Sequence, residues 1–181
     1  MTTNLPRIPR LADAGLGPPE VVAALRRRRG GSLLNLDRML LNSPAYAVGW
    51  NAFLGAVRTG LSLDPKLREL AICAVAVLNH ADYELEQHAP EFVQAGGTRA
   101  QLDGLQDIAA AIGNAQLFDL AERATLALTQ EMTLRVQVSD ACFQALREVL
   151  PDAQQQVELV GTIAAYNMVS RFLVALQVAP E

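Results

Sequence analysis

From Leu70 to Leu78 every position is apolar or small, and polar residues return only at the borders of that run. Ahead of it stands Asp64-Pro65. Asp64 can cap free backbone amides, and proline suits the first helical position, so the pattern predicts a helix over about 65–78, buried on nearly all sides. Asn79-His80 breaks it, and a second helical pattern runs from about 81 to 95, where Gly96-Gly97 ends it. The same punctuation divides the rest of the chain. Pro18-Pro19-Glu20 opens a short helix to about 29, closed by Gly30-Gly31. A brief helical turn carries Leu36, Met39 and Leu40. Pro44 opens a helix whose Tyr46, Trp50, Phe53, Leu54 and Val57 fall at helical spacing, with Gly60 at its end. Thr98 caps a segment with Leu102 and Leu105 facing inward, and further patterns cover about 117–132, 140–149 and 152–178.

No strand-like alternation is sustained, and no tandem repeat or second core stands out. The expectation is an all-α fold of seven to nine helices, with residues 1–17 as an extended arm and 18–181 as a single domain. The arm holds two prolines and two glycines and is expected to lie on the surface or on a neighbouring subunit.

Composition sharpens this. The chain is 51% hydrophobic but only 5% aromatic, so Ala, Leu and Val supply most of the apolar content, as packed helices require. The apolar excess points to surface covered between subunits. A net charge of −4 excludes a general nucleic-acid-binding surface. The one basic run, Arg26 to Arg29, fits a helix C-terminus complementing its macrodipole, with an anion- or partner-binding patch as the other reading. Cys73 and Cys142 lie far apart in apolar patterns and are expected to be buried free thiols. No apolar leader and no uninterrupted apolar span are recognisable, which predicts a soluble cytoplasmic protein without a membrane segment.

Candidate chemistry gathers between Glu69 and Gly97. His80, Glu84 and His88 recur at four-residue spacing and would line one face of a continuous helix. A carboxylate one turn from an imidazole can fix its tautomer and tune its proton affinity, as acid–base chemistry near neutral pH needs. Glu69 sits at the edge of the buried helix before it, and antiparallel packing of the two helices would bring it to the His88 face. The alternative is a solvated helix face. A metal site is disfavoured, because histidines at 80 and 88 would stand about 12 Å apart along the axis.

Arg68-Glu69-Leu70, the apolar run, Tyr83-Glu84, His88 and Ala95-Gly96 together resemble the core motif of the carboxymuconolactone decarboxylase / alkylhydroperoxidase D superfamily. Residues 40 to 100 carry the likeness, and Tyr166-Asn167-Met168-Val169-Ser170-Arg171 resembles the family's C-terminal helix. The resemblance implies an alkylhydroperoxidase D-like helical domain. The alkylhydroperoxidase D branch uses a glutamate, a CxxC pair and a histidine. Its glutamate and histidine fall on Glu69 and His88, but its cysteines fall on Ala81 and Glu84, which removes the thiolate nucleophile. The decarboxylase branch has glutamate at the place of Glu84 and uses no metal or organic cofactor. It implies that His88 moves a proton to or from substrate carbon while Glu69 and Glu84 orient or relay. It further implies that Arg171 and Asn167 hold a substrate carboxylate, with Tyr83 and His80 also facing substrate. A cofactor-free acid–base enzyme of decarboxylase, isomerase or hydrolase type follows, with a lyase the favoured class, acting on a small carboxylated or carbonyl substrate and assembled as a homo-trimer or hexamer. The alternatives are an alkylhydroperoxidase- or peroxiredoxin-type antioxidant relative, and a non-catalytic oligomeric binding protein.

Overall fold

The computed structural model describes residues 6–181, so the first five residues of the expected N-terminal arm lie outside the described part. Ten α-helices and a short 3-10 turn at Asp13–Gly15 account for the regular structure among the described residues, with no strand. The helices are α1 (Pro19–Arg28), α2 (Asn35–Leu40), α3 (Pro44–Thr59), α4 (Pro65–Leu78), α5 (Asp82–Gln94), α6 (Arg99–Gly104), α7 (Ile108–Gly113), α8 (Leu120–Arg135), α9 (Asp140–Val149) and α10 (Ala153–Leu176). The extra element beyond the expected seven to nine comes from short helices. α7 exists because the Asp107 carboxylate caps it through the Ala110 amide. α8 starts later than the pattern suggested. The Asn114 side chain accepts from the amides of Gln116 and Leu117 and holds a turn, and Asp119 and Glu122 then cap each other's backbone.

The chain forms two compact units, residues up to Gly60 with Leu173–Glu181, and Leu61–Phe172. In the first unit, Asp37 is fully buried on α2 and explains half of the basic run. Its carboxylate accepts from Arg29 Nε at 3.0 Å, Arg29 Nη2 at 3.1 Å and the Leu34 amide at 3.0 Å, and Arg28 pairs with it at 3.7 Å. Arg26 and Arg27 stay exposed. The arm is tied down here: Arg7 donates to the carbonyls of Leu176 and Ala175, and Arg38 donates to the Leu11 carbonyl and the Asp13 carboxylate.

The second unit is organised by α4 and α5. Leu70 to Ala76 are at most 1% exposed, as the unbroken apolar run demands. α4 ends in a Schellman motif. The Ala81 amide donates to the Ala76 carbonyl at 2.9 Å and the His80 amide to the Val77 carbonyl at 3.2 Å, with His80 itself at φ 52°. That left-handed residue turns the chain back, so α5 runs antiparallel to α4. α5 closes the same way around Gly96, at φ 100°, with the Gly97 amide on the Phe92 carbonyl. Gly97 is pressed on the Phe92 ring, and a Cβ there would fall 2.3–2.5 Å from ring carbons. The core between α4, α5 and α8 contains Leu70, Cys73, Ala74, Phe92, Leu105, Ile108, Phe118 and Leu126.

α10 supplies residues through Phe172 to this unit and the remainder to the first. Its buried stripe, Leu159, Ile163, Tyr166, Val169 and Ser170, follows helical spacing. By length and composition α10 could cross a membrane, with mean hydropathy 1.5 over its most apolar window, where the sequence pattern predicted no such helix. Half of that window is buried within the protein, as in the central helix of a globular fold. Cys142 departs from expectation too: α9 is strongly amphipathic and leaves this thiol half-buried, whereas Cys73 is fully buried.

Candidate functional site

The antiparallel pairing of α4 and α5 sets the geometry of the site. One turn back on α4, from Cys73 to Glu69, goes with one turn forward on α5, from Glu84 to His88. Both Glu69 and Glu84 lie close enough to Cys73 to act on it electrostatically. Glu69 and His88 meet directly: His88 Nδ1 is 2.7 Å from Glu69 Oε2, and both residues are 4% exposed. The other carboxylate oxygen, Oε1, accepts from Arg68 Nε at 3.1 Å. From α10 the Tyr166 ring packs edge-to-face on the imidazole, with centroids 4.9 Å apart and planes at 88°. Tyr166 is 1% exposed, and Glu84 is equally buried beside this group.

Electrostatics follow from these contacts. Burial by itself would raise the proton affinity of Glu69, but the His88 hydrogen bond and charge, joined by the Arg68 guanidinium, outweigh it. The Glu69 carboxyl therefore sits below the usual carboxylate range. An ionised Glu69 places the hydrogen of His88 on Nδ1 and leaves Nε2 as the basic nitrogen of the neutral ring. Cys73 moves the opposite way. Burial, reinforced by the charges of Glu69 and Glu84, pushes its thiol far above the ordinary range. It is held as a protonated thiol at neutral pH.

The other sequence-chosen residues are placed differently. Tyr83 is buried on α5 next to Glu84. His80 is exposed in the left-handed turn before α5, so His80, Glu84 and His88 do not share one continuous helix; the Schellman motif takes His80 out of the register. Asn167 is buried and structural in its bonding. It accepts from Asn79 Nδ2 at 3.1 Å, donates to Thr133 Oγ1 at 2.9 Å, and so joins the α4–α5 turn and α8 to α10. Arg171 is exposed, and its Nη1 donates to the Asn167 carbonyl and Oδ1 at 3.1 and 2.7 Å. It projects about 140° around the helix from Tyr166, away from the imidazole. The structure thus brings Glu69 and His88 together, with Glu84 beside them, and does not bring His80 or Arg171 to them. It adds two partners that spacing alone did not single out. Arg68 belongs to the Arg68-Glu69-Leu70 motif, where spacing assigns it no role, and Tyr166 is identifiable from the apolar stripe of α10. No group of three or more His, Cys, Asp or Glu suited to a metal ion occurs among the described residues.

Residues 44–131, which contain Arg68, Glu69, Glu84 and His88, match the carboxymuconolactone decarboxylase family. This match supports placing the chain in the carboxymuconolactone decarboxylase/AhpD-like superfamily. Solved structures share the fold. An uncharacterized peroxidase-related protein from Silicibacter sp. TM1040 superposes with a TM-score of 0.79 at 18% identity, covering 99% of this chain and 95% of that one. A peroxidase-related protein with an alkylhydroperoxidase AhpD core, from Ralstonia eutropha JMP134, gives 0.81 at 18% identity over 97% and 92%. The debrominase Bmp8, in complex with 2,3,4-tribromopyrrole, gives 0.79 at 16% identity over 99% and 93%. At these identities the fold alone is what is shared. No curated protein sequence matches the chain.

Proposed function

We propose that this superfamily member is an acid–base enzyme of the lyase type, acting with its own side chains on a small carboxylated or carbonyl substrate. The observation that carries the reading is the buried hydrogen bond between Glu69 and His88. It supplies an oriented imidazole with a defined donor and acceptor, the equipment for moving a proton to or from carbon. In a decarboxylation, the bond to the departing carboxyl carbon breaks and carbon dioxide leaves. The electron pair left on the substrate takes a proton from Nε2 of the His88 imidazolium, which recovers its proton from solvent. Glu84 and Tyr83 bound the same region of α5 and are assigned to substrate orientation.

A thiol peroxidase mechanism is the weaker reading for this chain. Ala81 and Glu84 stand where the alkylhydroperoxidase D branch carries its cysteines, and the thiol of Cys73 is held protonated. Replacing both Cys73 and Cys142 by Ala is expected to leave turnover unchanged, measured on a panel of small carboxylates and unsaturated lactones with a peroxide-reduction assay alongside. Peroxide reduction abolished by the double change would reverse this ordering. A second reading draws support from the same burial: Glu69, Glu84 and His88 are sealed to 4% exposure or less, as in a structural ion pair of a non-catalytic binding protein.

We assign the protein to the cytoplasm, where two unpaired thiols persist. We also infer a homo-oligomer, a trimer or hexamer as the family resemblance implies. In support, the solvent face of α3 carries Tyr46, Val48 and Phe53, each about half exposed, with only Ala and Gly between them. Light scattering at micromolar concentration should give a multiple of 19.5 kDa, and a 19.5 kDa particle would contradict it.

A further inference from the structure

The two oxygens of the Glu69 carboxylate are divided between a cation and an imidazole: Oε1 takes the Arg68 Nε–H and Oε2 meets His88 Nδ1. Arg68 therefore reaches His88 only through Glu69. Its side chain is 16% exposed, so its charge is poorly screened where it acts. Arg68 and Glu69 are neighbours on the first turns of α4, whose start is fixed by the Asp64 cap and Pro65. The guanidinium Nε, in the plane of its fork, sets the rotation of the carboxylate as well as its charge. An acid–base pair held by such an anchor resembles the orienting third group of a catalytic triad, with the cation behind the carboxylate instead of solvent.

We propose that Arg68 is a positioning residue, which through Glu69 fixes both the orientation of the His88 ring and the pH at which the couple changes protonation. The proposal rests on the acid–base reading of Glu69 and His88. Several groups among the described residues face the couple. Arg68 and Cys73 come from α4, Glu84 from α5 and Tyr166 from α10, while Glu122 of α8 is engaged by Lys66 at 2.6 Å and by Gln101. Arg68 is the cation among them that touches Glu69. Removing its charge makes both the carboxylate and the imidazole hold protons more readily, so the couple's midpoint rises.

The chain has two histidines, and His80 is exposed in its turn, which makes it an internal reference for imidazole NMR titration. In Arg68→Gln the midpoint read at His88 should rise by about one pH unit, an interaction of near-contact charges discounted for partial exposure. The His80 midpoint should stay in place. Arg68→Lys keeps the charge without the fork and should show less than half of that rise. It also serves as the readout if Arg68→Gln does not fold, since a small upward shift is still expected. A His88 midpoint unchanged in folded Arg68→Gln, or equal shifts in the Gln and Lys variants, would overturn the proposal. Unshifted midpoints in a protein whose turnover depends on His88 would sink the Arg68 role alone. A shifted midpoint in a protein with no turnover on any substrate would sink the enzyme reading alone.

Discussion

Phe92→Ala should lower the unfolding free energy by about 3–5 kcal/mol, the cost of truncating a fully buried phenylalanine. Phe92 is 0% exposed and sits where three constraints meet. It faces the core formed with Leu70, Cys73, Ala74 and Leu126. Its carbonyl receives the Gly97 amide that closes α5. Its ring fills the space that a Cβ at Gly97 would otherwise occupy. Little of the resulting cavity can collapse, because the neighbours on α4 are already packed side by side in a helix with no exposed face. For a chain of this length the loss corresponds to a fall in melting temperature on the order of 10 °C. Thermal and urea unfolding of the variant give the value, and a loss below about 1 kcal/mol would mean that the α4–α5 core does not carry the stability assigned to it.

The sequence was most legible where local chemistry and tertiary demand agree. Asp64-Pro65, the apolar run and Gly96-Gly97 each dictate a boundary through a backbone requirement that does not depend on partners, and α4 and α5 begin and end within a residue or two of expectation. The Glu69–His88 contact was legible for the same reason: a hairpin of two helices closed by a short turn can pack only antiparallel. His80 was misplaced because periodicity was extended through a position that takes a left-handed conformation, which asparagine or glycine usually signals and histidine does not. Arg171 was drawn toward the site by the family's C-terminal motif, but the direction of a side chain on α10 depends on which stripe is buried. That stripe selects Tyr166 and turns Arg171 outward. Arg68 is not legible from the sequence, since a cation next to a carboxylate in sequence points to another face unless the carboxylate's partner is known. The later start of α8 and the separate α7 came from side-chain caps, local hydrogen bonds that carry no periodic signal.

His88→Gln should reduce turnover by a factor on the order of 10² to 10⁴, the usual contribution of a general acid–base group. Glutamine keeps a donor and an acceptor of roughly the right reach toward Glu69 Oε2, so the packing of Tyr166 and the pairing of Arg68 with Glu69 are retained. What it cannot do is carry the proton between substrate and solvent. Loss of Glu69 alone should cost less, and the two changes should combine non-additively, since Glu69 acts by holding the ring. A structural role for the same pair predicts the reverse, a lower melting temperature with turnover per folded molecule preserved. The most direct test of the central claim is therefore turnover per folded molecule of His88→Gln, measured with its melting temperature and oligomeric mass on one preparation. The acid–base account predicts a protein folded and assembled like the wild type with activity lowered at least a hundredfold; a folded His88→Gln protein with full activity would contradict it.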